Sequence, residues 1–169
     1  TPGMSALAVA DGEGRNGVWM AEQGLDVLSV DASAIALSKA RRLAQARAVP
    51  LQTELADLAQ WDFGRERFDV IAAIFIQFAD PALRTHLFSA MRASLKPGGI
   101  LILQGYRPEQ LAYGTGGPKQ VENLYTPELL REAFSGMEML RLHAHDSTIQ
   151  EGRGHRGISA LIDLVVRKP

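Results

Sequence analysis

The predicted fold of this chain rests on Ala6-Leu7-Ala8-Val9-Ala10-Asp11-Gly12-Glu13-Gly14-Arg15-Asn16-Gly17. An apolar run ends in closely spaced glycines, and a segment compatible with a helix follows at residues 18–23. Glycines let the backbone come close to a ligand, and the exposed amides at the start of a helix favour negative charge. The order of strand, tight turn and helix therefore predicts one half of a nucleotide site.

A second apolar run, at residues 26–30, ends in Asp31, an acidic group placed where it could bind a ribose hydroxyl. The spacing Gly12-x-Gly14-x-x-Gly17 matches the dinucleotide fingerprint, and Asp31 falls near the expected distance of about 20 residues. Other nucleotide chemistries share this geometry, and a plain tight turn also produces the pattern, so the match alone leaves these alternatives open.

A third carboxylate, Asp57, is followed by Leu58 and comes after the third predicted strand. It therefore belongs to the same carboxyl edge of the sheet as Asp31, where it can accept a proton from the adenine amino group. A lone surface aspartate is more often a turn residue or a helix cap, so Asp57 supports a nucleotide site only together with Asp31 and the glycines.

The rest of the chain alternates apolar runs with helical periodicity, which indicates an α/β fold with a mainly parallel sheet. Further strands are predicted at 50–55 on an edge, at 68–76 in the sheet centre, at 100–103, and as a closing antiparallel hairpin that includes 140–145 and 158–167. Helices are predicted at 33–48, after Asp80-Pro81 and after Thr126-Pro127.

Composition limits the class of protein. The chain has 169 residues, 46% of them hydrophobic, which suits a single domain over residues 1–169. A net charge of −1 with scattered basic residues argues against nucleic acid, and the lack of cysteine excludes disulfides, thiolate-bound zinc and a cysteine nucleophile. The longest apolar run, 70–76, is too short to span a membrane, so a soluble domain is expected, and the lack of cysteine agrees with the expected cytoplasmic location.

The order of motifs resembles the class I S-adenosylmethionine-dependent methyltransferases. The resemblance rests on Gly12-Glu13-Gly14, Asp31, Asp57, the run Leu95-Lys96-Pro97-Gly98-Gly99 and the terminal hairpin. Within that class, residues 12–16 and the loop Tyr113-Gly114-Thr115-Gly116-Gly117-Pro118 resemble the tellurite-resistance branch and its thiopurine-methyltransferase-like relatives. Ala8 and Ala10 depart from the class pattern, because an acidic residue and the first glycine often stand there.

The resemblance implies a Rossmann-like seven-stranded sheet of order 3-2-1-4-5-7-6, with the last strand antiparallel and helices on its flanks. It also implies S-adenosylmethionine as cofactor and an N-terminal cap segment that precedes Thr1. The expected cofactor residues are Ala10, Asp11, Gly12, Gly14, Arg15, Asn16, Asp31, Ala32, Asp57, Leu58 and Ile74. Of these, residues 10–12 would hold the methionine part, Asp31 the ribose, and Asp57 with Leu58 the adenine. Arg15 could meet the cofactor carboxylate or be solvated.

The acceptor site is predicted from topology, because a hairpin next to a parallel strand turns at the carboxyl edge. His155 and Arg156 on that turn are the candidate catalytic residues, as proton acceptor and anion clamp, and the alternative is an ordinary mobile turn. The loop after the fifth strand could close as a lid. The candidate substrate contacts are Gln77, Tyr106, Tyr113 and Lys119. Gln77 could instead satisfy local backbone groups.

No metal site is predicted. His143 and His145 share one face of a strand, but the sequence shows no carboxylate or third histidine at a matching spacing. His86 lies on a helix whose apolar face is elsewhere, so we expect it to be solvated.

The sequence therefore favours a methyltransferase that acts on a small molecule, with a soft acceptor such as a thiol, selenium or tellurium species suggested by the branch resemblance. Methyl transfer from a sulfonium is an in-line displacement, so alignment and exclusion of water matter more than a strong base. The alternatives are a nicotinamide-dependent oxidoreductase and a non-catalytic cofactor-binding module. The oligomeric state is not readable from the sequence.

Overall fold

The computed structural model describes residues 2–150 and 156–169. The strands are β1 (Ser5–Val9), β2 (Asp26–Asp31), β3 (Gln52–Leu55), β4 (Phe68–Ile74), β5 (Leu95–Tyr106), β6 (Glu138–Gln150) and β7 (Arg156–Arg167). The helices are α1 (Arg15–Glu22), α2 (Ala34–Ala46), α3 (Pro81–Ser94), α4 (Gln110–Tyr113) and α5 (Pro127–Ala133), with a 3-10 turn at Val121–Asn123.

The seven strands form one sheet in the order β3-β2-β1-β4-β5-β7-β6. Neighbours from β3 to β5 are parallel, whereas β7 is antiparallel to both β5 and β6. The predicted fold class, strand order and closing hairpin are therefore confirmed. In this arrangement the carboxyl ends of β1, β2, β3 and β4 share one edge of the sheet.

Apolar side chains cover both faces of the sheet, because alternate residues of a strand point to opposite faces. Leu7 and Val9 belong to the larger core, which includes Leu87 and Met91 of α3. Ala6 and Ala8 belong to a smaller cluster with Met20 of α1. In the described parts of the chain, no helix has the length and apolar content needed to cross a membrane.

The predicted helix starts are confirmed by their caps. The Asp80 carboxylate accepts a hydrogen bond from the Leu83 amide, and the Thr126 hydroxyl accepts one from Leu129, each ahead of a proline in the first turn. The start of β5 differs from the prediction. Residues 97–99 lie inside the strand rather than before it, because the Gly98 amide donates to the Lys168 carbonyl and Lys168 donates back to Gly99.

A polar cluster fixes the other end of the sheet. The carboxylate of Asp69 on β4 accepts hydrogen bonds from the Ser5 amide, the Ser5 hydroxyl and the Lys96 ammonium at 2.8, 2.7 and 2.7 Å. Hydrogen bonds from Lys96 and Ser5 lower the pKa of Asp69 from 3.8 to about 2. The charged form of Asp69 therefore ties β1, β4 and β5 together.

We expect the acid stability of the protein to depend on Asp69. Because the pKa of Asp69 is lower in the folded state, its contribution is present above pH 3.8 and is lost as pH falls toward about 2. Asp69→Asn should remove that part of the pH dependence and lower stability by about 1–2 kcal/mol at neutral pH. Urea unfolding between pH 2 and 7 measures both effects, with the exposed Asp26→Asn as control. Identical pH profiles for Asp69→Asn and the wild type would contradict the assignment.

Candidate active site

A cavity of about 290 Å³ opens at the carboxyl edge of the sheet. Its lining comes from the ends of β1, β2 and β4, the segment after β3, and the first turns of α3. The residues are Ala10, Asp31, Ala32, Asp57, Leu58, Ala59, Phe75, Phe78 and Leu83. Five of the predicted cofactor residues, Ala10, Asp31, Ala32, Asp57 and Leu58, therefore lie together around one space.

The turn after β1 has the backbone geometry of a ligand-binding loop. Ala10, Gly12 and Gly14 all have left-handed φ values, of 50, 59 and 85°. Glycine adopts this conformation freely, whereas Ala10 adopts it at a cost of about 1 kcal/mol. A Cβ added to Gly12 would meet nothing within 4 Å, so that glycine leaves open space at the turn.

Asp11 directs its carboxylate inward. It is 8% exposed, and it accepts hydrogen bonds from the Gly17 amide at 3.1 Å and the Ser29 hydroxyl at 2.9 Å. Burial raises the pKa of Asp11, although these hydrogen bonds oppose the shift. The side chain thus joins the β1 turn to α1 and β2, and a Cβ on Gly17 would collide with it.

Asp31 holds the turn from the other side. One carboxylate oxygen accepts the Gly12 amide at 2.8 Å, and the other accepts the Ser33 amide at 2.8 Å. A carboxylate oxygen can accept more than one hydrogen bond, so both remain able to receive a ligand hydroxyl. The position and the geometry suit a ribose diol.

Asp57 and Leu58 form the far side of the cavity. The Asp57 carboxylate accepts the Ala59 amide at 3.0 Å, which fixes the turn after β3, while Leu58 is 5% exposed and packs in the core. One charged acceptor next to an apolar wall is an arrangement that suits a planar base.

Two aromatic residues in the cavity were missed by sequence reasoning. Phe75 directly follows β4 and has φ 55°, an unusual conformation for a bulky side chain that concentrates at functional sites. Its ring stacks on Tyr106 with centroids 4.7 Å apart. Phe78 is 58% exposed on the same segment. Phe78 follows the predicted strand 68–76 directly enough to have been a candidate, whereas Phe75 fell inside that strand and gave no signal.

The remaining predicted cofactor residues do not line this cavity. Ile74 and Asn16 line a separate apolar cavity beside α1. Arg15 is exposed, and Glu13 pairs with Lys39 at 2.6 Å. Gly14 packs against Ala40, where an added Cβ would come within 2.6 Å of the Ala40 Cβ.

A second cavity of about 280 Å³ adjoins the first and shares Phe75 and Phe78 with it. Its other lining residues are Gln77, Tyr106, Gly117 and Pro118. Two of the predicted substrate contacts, Gln77 and Tyr106, therefore line this second cavity. Both are buried, at 2% exposure each.

The side-chain amide of Gln77 forms hydrogen bonds to backbone groups, as the alternative prediction for this residue states. Its amide nitrogen donates to the carbonyls of Tyr106 and Asn123 at 2.9 and 3.0 Å, and its oxygen accepts the Tyr106 amide at 2.6 Å. Gln77 therefore shapes the second cavity by joining β4, β5 and the loop that follows β5.

Tyr113 and Lys119 do not line either cavity. The Tyr113 hydroxyl donates to Asp146 on β6 at 2.6 Å, and this hydrogen bond raises the pKa of Tyr113. Lys119 is exposed. The segment from α4 to Lys119 is tied to β7, since Thr115 donates to the Ile158 carbonyl at 2.7 Å and Gln110 on α4 accepts the Ala160 amide at 2.9 Å.

Of the two predicted catalytic residues, Arg156 alone belongs to the described part of the chain. His155 is outside the described residues, and Arg156 is described only as the first residue of β7. Their neighbour Gly157 lies beside the loop after β5, since an added Cβ would come within 2.8 Å of Thr115. A larger concavity of about 580 Å³ lies between α3 and α5, away from the carboxyl edge that carries the polar groups described above.

The structure brings together one group of side chains that the sequence analysis did not predict. The expectation of no metal ligands assumed that no carboxylate accompanies His143 and His145, yet the structure brings Asp163 to them, with all three ligand atoms within 4.8 Å of one another. Asp163 was missed because it belongs to β7 and reaches His143 only through antiparallel pairing.

The fold and this edge of the sheet define the class of protein. The structure superimposes on TehB from Haemophilus influenzae with a TM-score of 0.80 over 99% of this chain and 58% of that one, at 17% identity. At that identity the likeness shows a shared fold, the Rossmann-like fold of the methyltransferases, and TehB is one of many structures that share it.

Sequence comparison identifies the family. Residues 6–99, more than half of the chain, match the family described as methyltransferase domain, and the chain belongs to it. An uncharacterized methyltransferase of Synechocystis is 32% identical over 61% of this chain and 47% of its own length. A carboxy-S-adenosyl-L-methionine synthase of Geobacter metallireducens is 32% identical over 68% of this chain and 46% of its own length. The chain thus spans about half the length of these relatives. Together these findings support S-adenosylmethionine as the cofactor.

Proposed function

We propose that the protein transfers a methyl group from S-adenosylmethionine to a small molecule with a soft nucleophile, such as a thiol or a selenium or tellurium species. The observation that carries this proposal is the pair of adjoining cavities that share the rings of Phe75 and Phe78. One cavity has the acidic groups that suit a nucleoside, and the other, of similar volume, has three aromatic side chains and no acidic group among its described lining residues.

In this proposal the cofactor occupies the first cavity. Asp31 binds the ribose hydroxyls, Asp57 and Leu58 hold the adenine, and the backbone at Ala10 and Gly12 supports the methionine part. The side chain of Asp11 keeps the turn in shape, because it is already bonded to Gly17 and Ser29. The sulfonium would then lie near the shared rings, which attract positive charge.

The second cavity suits a soft acceptor for two reasons. Sulfur and its heavier relatives make favourable contacts with aromatic rings such as those of Phe75 and Tyr106. Its described lining residues include no carboxylate, histidine or lysine, so the site offers little to activate a hard oxygen or nitrogen nucleophile. A thiolate or its analogue needs only alignment and exclusion of water, because the sulfonium is already activated.

His155 and Arg156 stay proposed contacts of the acceptor, as a proton acceptor and an anion clamp. The proposal of a soft acceptor does not require these two residues, since a thiol is already partly ionised in water near neutral pH. The His155→Ala variant belongs in the same assay, where a selective loss of activity with protonated thiols would support its role.

The test is a panel of acceptors incubated with the purified chain and S-adenosylmethionine, with methylated products detected by mass spectrometry. Aromatic and aliphatic thiols, selenite and tellurite are compared with matched amines and alcohols. Turnover confined to the soft acceptors supports the proposal, whereas turnover of an amine or alcohol alone overturns it. Binding of S-adenosylhomocysteine with no product from any acceptor would instead favour the non-catalytic module.

Substitution of Phe78 tests the proposed role of the two aromatic rings that line both cavities. Phe78→Ala should lower kcat/KM for the best acceptor about tenfold, since a lost aromatic contact costs about 1–1.5 kcal/mol. Trp19→Ala is the control, because Trp19 is 59% exposed against 58% for Phe78 and lines neither cavity. Equal kinetics for the two variants would contradict the placement of the acceptor.

A further inference from the structure

A cluster on the closing hairpin lies apart from both cavities. His143 and His145 come from β6 and Asp163 from β7, and their ligand atoms lie within 4.8 Å of one another. The two imidazole rings stack, with centroids 4.8 Å apart and planes at 12°. Nε2 of His145 lies 3.1 Å from a carboxylate oxygen of Asp163.

The sheet itself creates this grouping. Residues two apart on a strand point to the same face, which brings the His143 and His145 side chains together. Residues paired across strands also share a face, and Asp163 is the direct partner of His143. Strand pairing therefore holds all three side chains on one rigid surface, and no loop has to fold over them.

Neighbouring polar groups orient the three side chains. The Gln104 amide donates to one Asp163 oxygen at 2.7 Å, which leaves the other oxygen facing His145. The Ser147 hydroxyl lies 2.8 Å from Nδ1 of His145, so Nε2 is the nitrogen that faces the carboxylate. Hydrogen bonds of this kind fix ligand orientation and strengthen metal binding in proteins.

We propose that His143, His145 and Asp163 form a binding site for a borderline divalent cation such as Zn²⁺. Two imidazoles and one carboxylate are the donor set that such a cation prefers, and three protein ligands leave positions for water or a further ligand. Ligand bonds of about 2.1 Å place donor atoms roughly 3.4 Å apart on one tetrahedral ion, so binding draws the most distant pair together by at most about 1.4 Å.

One neighbouring cation opposes binding. Nη2 of Arg141 lies 3.2 Å from Nδ1 of His143 and 3.6 Å from the Asp163 carboxylate. The Arg141 side chain is 55% exposed, so it can swing into water at little cost when the metal arrives. Removing its charge should therefore tighten metal binding, which a purely structural cluster would not predict.

The site is separate from the proposed cofactor cavity. Ile74, Gln104, Asp163 and His143 form one row across the sheet by their pairing, so Asp163 is two strand spacings, about 10 Å, from the end of β4. Asp31 on β2 is two strands beyond β4, so about 20 Å separate it from Asp163, and none of the three side chains lines either cavity. Metal binding can therefore be measured whether or not the proposed function holds.

The test uses tag-free full-length chain, freed of metal with a chelator, and titrates it with Zn²⁺ by calorimetry. We expect one site per chain, with affinity at least about tenfold weaker in His143→Ala, His145→Ala and Asp163→Asn. The other two histidines of the chain provide controls, and His86→Ala and His155→Ala should bind as the wild type does. Arg141→Ala should bind several-fold more tightly.

Thermal unfolding in chelator checks that each variant folds, and added Zn²⁺ should raise the Tm of the wild type and not that of His143→Ala. Wild-type affinity in the His143 and His145 variants would overturn the proposal, as would loss of the site in His86→Ala or His155→Ala. In those cases His145 and Asp163 form only a structural ion pair.

Discussion

Replacing Asp31 by alanine is expected to weaken the binding of S-adenosylmethionine and S-adenosylhomocysteine by about 100-fold or more. A hydrogen bond to a charged group contributes about 1.5–3 kcal/mol, and two such bonds to a ribose diol together exceed the 2.8 kcal/mol that corresponds to 100-fold. Calorimetric titration with S-adenosylhomocysteine measures the loss directly.

The effect of Asp31→Ala has two sources, which a second variant separates. The substitution removes the proposed ribose contact and also frees the Gly12 and Ser33 amides, which the carboxylate holds at 2.8 Å each. Asp31→Asn keeps the size of the side chain and one acceptor oxygen. It should therefore keep one of the two backbone hydrogen bonds, hold the turn better than alanine does, and bind the ligand with intermediate affinity.

Asp62→Ala is the matched control for Asp31→Ala. The Asp62 carboxylate also accepts an amide two residues ahead, from Gly64 at 2.8 Å, but it lies outside the cofactor cavity. This variant should bind S-adenosylhomocysteine as the wild type does. If Asp31→Ala also kept wild-type affinity, the assignment of the cavity to the cofactor would be lost.

Gln77→Ala is expected to destabilise the protein by about 3–4 kcal/mol and to lower its Tm by about 10 °C. The substitution removes three buried hydrogen bonds, from Gln77 to the carbonyls of Tyr106 and Asn123 and from the Tyr106 amide to Gln77. Each lost hydrogen bond costs about 1–1.5 kcal/mol, and a chain of this size loses about 2–4 °C per kcal/mol. Calorimetric unfolding measures the change.

The same variant distinguishes the structural role of Gln77 from a role in binding the acceptor. A structural role predicts a large fall in Tm that occurs without any ligand, whereas a contact with the acceptor predicts an increase in KM at nearly unchanged Tm. Gln45→Ala on α2 is the control, because Gln45 is exposed and its loss should change the Tm by less than about 2 °C.

Much of the fold could be predicted because its signals are local. The apolar runs, the glycines after β1 and the proline caps of α3 and α5 each report the conformation of their own segment. The family resemblance then supplied the strand order. The bounds were less predictable. β4 stops at Ile74 because Phe75 takes a left-handed φ, although the apolar sequence continues to Ile76.

The proposed cofactor cavity could be predicted only in part from local sequence signals. Asp31 and Asp57 were predictable, because residues that follow parallel strands meet at one edge whatever their neighbours are. The sequence could not show whether Ile74 or Phe75 lines this cavity. A strand buried on both faces is apolar at every position, so no alternation reveals which side chain points to which face.

By itself the sequence determined the α/β class, the glycine turn and the acidic residues of one sheet edge, because each depends on spacing within a short segment. The tertiary structure decided which side chains meet. It buried Gln77 among backbone groups of two other segments, and it brought Asp163 to His143 and His145 across the hairpin. Such contacts depend on the strand register between segments far apart in the chain, which no local sequence pattern determines.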